Sequence, residues 1–236
     1  MSSKGTVESA ETTGRMARRR LYPSWREPNF LVLRRRREIL TPWLATLPAG
    51  SGRILDVGGR LQPYRPLVGG VVGRYVAVDL VPTSAVDAVA DAERLPFGDE
   101  VFDLVLCTQV IEYVSRPARV VDEIYRVLRF GAVLILSAPT IFPSDGDQDG
   151  WRFLPPALRS LTSRFTEVHI APEGRTVAGI CRTVNVALDL VARPRVVRAA
   201  LRWTAYPMIN LTGLMLDRLS GANDRFAVNY SVFARK

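Results

Sequence analysis

Residues 53–59 read Arg53-Ile54-Leu55-Asp56-Val57-Gly58-Gly59, and residues 75–79 read Tyr75-Val76-Ala77-Val78-Asp79. Both are short runs of branched apolar residues, closed by a carboxylate or by a carboxylate and a glycine turn. Such runs predict strands apolar on both faces, which belong in a parallel sheet covered by helices on each side. Glycines after the first strand let the backbone approach a ligand with no Cβ in the way. In an open parallel sheet, ligands bind beyond the carboxyl ends of the strands, and an acid at the tip of the second is placed for the hydroxyls of a ribose. The interval of about twenty residues from Gly59 to Asp79 fits one βαβ turn. The pair alone indicates a nucleoside-bearing cofactor of any kind.

Working outward, the alternation continues. Val86 to Ala90, Phe102 to Cys107 and, opened by Gly131, Ala132 to Ser137 read as further strands. Arg116 to Leu128 places Val120, Ile124, Val127 and Leu128 on one helical face. Three segments then combine: Asp91-Ala92-Glu93-Arg94-Leu95-Pro96-Phe97, the stretch Phe102-Asp103-Leu104-Val105 running on to Glu112-Tyr113-Val114, and Arg126-Val127-Leu128-Arg129-Phe130-Gly131-Ala132. With the Leu55-Asp56-Val57-Gly58-Gly59 turn, residues 50–140 resemble, in order, the class I methyltransferases that use S-adenosylmethionine (SAM). The resemblance implies a doubly wound, Rossmann-like, seven-stranded and mostly parallel sheet with helices on both faces. It implies that Gly58 and Gly59 bring backbone amides to the methionine part of SAM and that Asp56 holds its amino group. It also implies that Asp79 binds the ribose hydroxyls, Leu80 packs on the adenine, and Asp91 and the Ala92 amide meet the adenine edge. Thr108 and Gln109 then line the site near the reacting methyl.

The chain departs from that family in two places. The third glycine of the turn is Gln62, followed by Pro63-Tyr64-Arg65-Pro66, and the histidine usual after the fourth strand is Tyr113. The only histidine, His169, alternates with apolar residues as a surface strand residue does, so histidine catalysis is not expected. Glu112, Tyr113 and Asp149 are the candidate catalytic groups. The segment Asp147-Gln148-Asp149-Gly150-Trp151-Arg152-Phe153 resembles a loop of some family members that overhangs the methyl-transfer centre, which makes Asp149, Trp151 and Arg152 candidate acceptor contacts.

Composition sets the outer bounds. A chain of 236 residues with 47% hydrophobic and 23% charged residues suits one α/β domain with appendages. Cys107 and Cys181 have no paired or metal-ligand spacing, so neither a disulfide framework nor a metal site is expected, and a reducing cytoplasm is the simplest compartment. Residues 1–24 read as a flexible basic tail, 25–49 as a helical segment with Pro42 as a break or kink, and 50–236 as the methyltransferase domain. Within that domain, 50–140 form the cofactor half and 141–236 an acceptor half with extra helices. There Pro155 to Leu161 and Val177 to Val191 read as helices, Arg164 to Ile170 and Phe226 to Val232 as strands, and the uncharged Trp203 to Leu216 as a packed helix. The net charge of +9 gathers at Arg15 to Arg37 and at Arg193 to Arg202, which suits a solvated face or an anionic membrane surface. A small-molecule, glycan-linked or lipid-linked acceptor is expected, and nucleic acid is not. Two rival functions share the pattern: an NAD(P)-dependent oxidoreductase, and a non-catalytic nucleic-acid module. Pro63 and Pro66 fit poorly with the helix start that the first requires.

Overall fold

A computed structural model describes residues 10–47, 50, 52–69, 72–219, 221 and 223–236. Seven strands form one sheet in the order β3-β2-β1-β4-β5-β7-β6. They are β1 (Gly52–Val57), β2 (Val72–Asp79), β3 (Ala88–Val89), β4 (Phe102–Thr108), β5 (Leu128–Pro139), β6 (Glu167–Pro172) and β7 (Asn229–Arg235). β1 to β5 run parallel, whereas β7 lies antiparallel between β5 and β6. The strand order reverses between β1 and β4, which puts a ligand crevice at the carboxyl ends of those two strands.

The expected apolar runs bury both faces. Ile54, Leu104, Leu106, Val133 and Ile135 pack into a cluster on one side, with Leu40 and Leu44, while Leu55, Val105, Leu134 and Leu136 pack with Val120, Ile124 and Phe165 on the other. The helices are α1 (Ala10–Leu21), α2 (Phe30–Ala45), α3 (Pro117–Val127), α4 (Pro155–Leu161), α5 (Thr176–Val191), α6 (Arg195–Trp203) and α7 (Ala205–Leu219). No helix of the described residues is long and apolar enough to cross a membrane.

Several boundaries differ from expectation. Where a flexible tail was expected, Ala10 to Leu21 form α1, because Leu21 is buried beside Leu40 and Tyr64; residues 1–9 lie outside the described residues. Helix α2 continues through Pro42 to Ala45; the proline stands in its last turn. Its buried residues are Leu31, Val32, Arg36, Ile39, Leu40 and Leu44, and the charged one among them, Arg36, finds a carboxylate inside. Strand β5 starts at Leu128, ahead of Gly131, which sits within it at φ +77. Strand β7 runs from 229 to 235 rather than 226 to 232; Asn229 to Ala234 are buried, and β5 and β6 take up its two edges. Helix α7 is packed on one side only: Tyr206, Asn210 and Gly213 are buried, while Met208, Leu211 and Met215 are exposed.

Candidate active site

A cavity of about 520 Å³ opens where the strand order reverses. Of the residues expected to hold cofactor, Asp56, Gly58, Asp79, Leu80, Asp91, Ala92, Thr108 and Gln109 line it; Gly59 lies just behind. The far end is walled by Asn29, Val32, Leu33 and Arg36 of α2 and its approach, Arg182 of α5, Phe142, and Asn229 of β7.

At the cofactor end the strand tips set the chemistry. Asp56 ends β1 buried, with Tyr75 Oη donating to its carboxylate at 2.6 Å. Burial, with Asp79 as a like charge, pushes its pKa up to about 7 against the bond from Tyr75. Gly58 takes φ +74, and a Cβ there would overlap Val110 Cγ2. A Cβ on Gly59 would come within 2.8 Å of the Asp56 carbonyl and 2.9 Å of Ala77 Cβ. The amides of both glycines donate to the Val78 carbonyl, at 2.8 and 3.0 Å. Here the structure corrects the expectation: these glycines supply clearance and a tight turn, and their N–H groups are already engaged by the sheet.

Gln62 shows how the chain manages without the third glycine. It keeps the left-handed backbone, φ +48, and its side chain donates to the Ala85 carbonyl while accepting from Arg65 Nη1 at 2.8 Å. Asp79 Oδ1 caps the Val81 amide at 2.9 Å, and Asp91 Oδ1 caps the Glu93 amide at 2.9 Å, which fixes both carboxylates at the rim. The Ala92 N–H has no acceptor among the described residues, although Ala92 is buried. Gln109, at φ +57, is a strained residue of the kind that clusters at functional sites. Its backbone donates to Ser137 at 2.9 Å, and its side-chain amide donates to Asn229 at 3.2 Å.

The loop candidates fare differently. Asp149 holds Arg152 in a two-pronged pair, Nη1 at 2.5 Å and Nη2 at 2.7 Å. Arg152 also donates to the Phe142 carbonyl, and Trp151 Nε1 donates to the Val114 carbonyl at 2.8 Å. None of the three lines the cavity; the loop contributes Phe142, Asp145 and Gln148 instead. Asp149, Trp151 and Arg152 therefore brace the loop that they were expected to arm. Glu112 is buried behind the wall, with Oε2 unpartnered among the described residues and its pKa pushed up to about 7 by burial. Of the catalytic candidates only Tyr113 lines the cavity, its hydroxyl donating to Asp145 at 3.4 Å. Burial raises that phenol to about 12.

Residues 55–136 match the family described as "Methyltransferase domain". With the 3-2-1-4-5-7-6 sheet, this decides the assignment. Residues 55–136 are a methyltransferase domain, set in a sheet with the strand order of the class I SAM-dependent fold. An uncharacterized protein from Methanocaldococcus jannaschii is 29% identical over 117 residues, covering 49% of this chain and 56% of its own. The ubiquinone/menaquinone biosynthesis C-methyltransferase UbiE of Roseobacter denitrificans is 27% identical over 133 residues, covering 49% and 52%. The chain thus spans about half the length of these curated relatives. A SAM-dependent methyltransferase from Archaeoglobus fulgidus shares the fold at a TM-score of 0.53 and 15% identity, covering 94% of this chain and 98% of its own.

Around this methyltransferase domain, sequence reasoning missed the far wall of the cavity. Arg36 Nε donates to both oxygens of Glu173 at 2.8 Å, Glu173 also accepts from Ser231 Oγ at 2.7 Å, and all three residues are buried. Arg182 is buried beside them without a carboxylate of its own; it donates to Asn29 Oδ1 at 3.0 Å and the Ile141 carbonyl at 3.2 Å. Burial and the neighbouring Arg36 lower its pKa to about 10. The sequence signal was an arginine in the apolar run of α5, visible only once α5 was known to face the cavity.

Proposed function

We propose that the protein moves a methyl group from SAM to an oxygen or nitrogen atom of a small-molecule, glycan-linked or lipid-linked acceptor. One observation carries the reading: two carboxylates at adjacent strand tips and an unsatisfied buried amide converge on one crevice. The residues fit the cofactor. Asp56, desolvated and close to neutrality in pKa, gains by pairing with an α-ammonium. Asp79 keeps a carboxylate oxygen for ribose hydroxyls, since its turn uses Oδ1. The Ala92 N–H and the Asp91 carboxylate suit the edge of an adenine, with Leu80 against the ring.

SAM supplies, when bound, a methyl group already activated on a sulfonium. What the chain must add is alignment, for which effective concentration alone lowers a barrier by several kcal/mol. Gln109 and Thr108 set the floor beside the reacting centre, and Gln109 is held there by Ser137 and Asn229. Arg182 gives the acceptor end a desolvated cation, which favours an acceptor that carries a carboxylate or a phosphate. Tyr113 is the cavity's candidate for contact with the nucleophile, and Glu112 supports it from behind. The likeness to a C-methyltransferase of quinone biosynthesis adds carbon to the acceptor atoms worth assaying.

Thermal unfolding with S-adenosylhomocysteine and, separately, with NADP tests the reading. At a hundredfold excess over its dissociation constant, S-adenosylhomocysteine is expected to add about 2.7 kcal/mol of stability, and Asp79→Ala to remove that gain. Stabilisation by NADP in place of S-adenosylhomocysteine would overturn it.

A further inference from the structure

The α5–α7 helices leave apolar stripes uncovered. Among the described residues, 12 of the 21 exposed large hydrophobic side chains fall between Ile180 and Leu219. On α5 they recur as Ile180, Val184 and Val191, and on α7 as Met208, Leu211, Met215 and Leu219, at helical spacing. Val191 is 80% exposed and Leu219 81%. The opposite sides of both helices face inward: Asn185 donates to Asn210 at 2.9 Å, and Asn210 donates to the Trp25 and Glu27 carbonyls. Both stripes are therefore turned away from the body.

Charge accompanies them. Helix α6 buries nothing; Arg195, Arg198 and Arg202 occupy one side of it, and Val196, Ala200 and Trp203 the other. With Arg193, these arginines are exposed and make no ion pair with a carboxylate among the described residues. The nearby acids are turned inward: Asp189 accepts from Tyr206 at 3.0 Å, and Asp217 from the Ala178 amide at 2.9 Å. In the N-terminal cluster Arg19 pairs with Glu27, Arg34 and Arg35 with Glu38, and Arg36 with Glu173, while Arg15 and Arg18 are exposed on α1, which carries no exposed large hydrophobic side chain beside them. Exposed arginines beside apolar stripes, with a tryptophan at the boundary, match an anionic bilayer: phosphates outside, hydrocarbon within. A twofold dimer through α6 would set these arginines against their own copies. A nucleic acid would leave the apolar stripes without counterpart.

We propose that α5, α6 and α7 form a docking face for an anionic lipid bilayer, with the stripes of α5 and α7 entering the interface and the α6 arginines meeting headgroup phosphates. Arg182 leaves the same helix α5 on the side opposite Ile180 and Val184. The cavity that it lines thus stands about one helix width, roughly 10 Å, from the docked face.

Co-sedimentation of the full chain with phosphatidylcholine vesicles, with and without phosphatidylglycerol, tests this. Binding is expected only with phosphatidylglycerol, weakened about fivefold by each of Arg195→Gln and Arg202→Gln. The pair Leu211→Asn and Met215→Asn is expected to abolish it, while Arg15→Gln with Arg18→Gln leaves it intact. Stabilisation by S-adenosylhomocysteine remains throughout, so a failure here is distinct from a failure of the methyltransferase reading. Absence of binding to the anionic vesicles overturns the proposal, and so does binding that survives the two α6 variants. A dimer dispersed by Leu211→Asn, or salt-sensitive binding of RNA, without vesicle binding, overturns it in favour of that partner.

Discussion

The two ends of the cavity are built by opposite means. At the cofactor end the carboxylates are fixed by residues close in sequence: Asp79 caps Val81, Asp91 caps Glu93, and Asp56 meets Tyr75, 19 positions on. At the acceptor end the fixing bonds span the chain. Arg36 reaches Glu173 across 137 positions, Arg182 reaches Asn29 across 153, and Asn210 reaches Trp25 across 185. A cofactor common to a family can be held by local turns that any member can keep. An acceptor pocket is assembled from whatever helices the rest of the chain brings over the sheet.

Breaking the long-range end is expected to cost most. Glu173→Gln strands the buried Arg36 guanidinium, and loss of one partner of a buried pair destabilises by about 3–5 kcal/mol. A lower urea midpoint would show it, with the increment from S-adenosylhomocysteine unchanged in the protein that remains folded. An unchanged midpoint would mean that the acceptor end is not held by this pair.

Breaking the local end is expected to cost less in stability and more in binding. Gly59→Ala drives a methyl group against the Asp56 carbonyl and Ala77, neither of which is a flexible side-chain end. Overpacking of this kind costs about 1–3 kcal/mol. Isothermal titration with S-adenosylhomocysteine should show the affinity falling together with the midpoint; wild-type affinity would show that the turn has room to spare.

The smallest effect sharpens the contrast through pH. The folded pKa of Asp56, about 7, lies above its unfolded value, so the folded ligand-free protein holds a proton that the unfolded chain releases. Ligand-free stability from this group is therefore present at low pH and lost as pH rises from about 4 to about 7. Binding of the ammonium runs the other way, needing the carboxylate. The affinity for S-adenosylhomocysteine should fall about tenfold for each pH unit below 7 and level off above it. Asp56→Asn should flatten that profile, and a profile unchanged by the substitution would remove Asp56 from the amino-group site.

The same contrast explains what could be read in the sequence. Strands β1, β2, β4 and β5 and the switch point were legible, and eight of the nine residues expected to hold cofactor line the cavity there, because apolar runs and their closing acids are written in adjacent residues. Arg36 was read as one of four arginines on a solvated face, since nothing near it announces a carboxylate 137 residues away. The Asp149–Trp151–Arg152 loop was read as substrate-facing because its polar residues gain partners only from the folded loop itself and from Val114. The glycine turn was located correctly and its amides were not, as their acceptor belongs to the neighbouring strand.

The placement of β7 has a cost in time. Its partners β5 and β6 are complete at Pro139 and Pro172, yet β7 begins only at Asn229, after α5, α6 and α7. At translation speeds of roughly 5–20 residues per second, the β6 edge waits about 3–11 seconds and the β5 edge about 5–18 seconds on the ribosome with their hydrogen-bonding groups bare. A β5 edge of Val133, Leu134, Ile135 and Leu136 is a ready template for another nascent chain. This makes the interval before β7 the moment at which the protein most needs a chaperone.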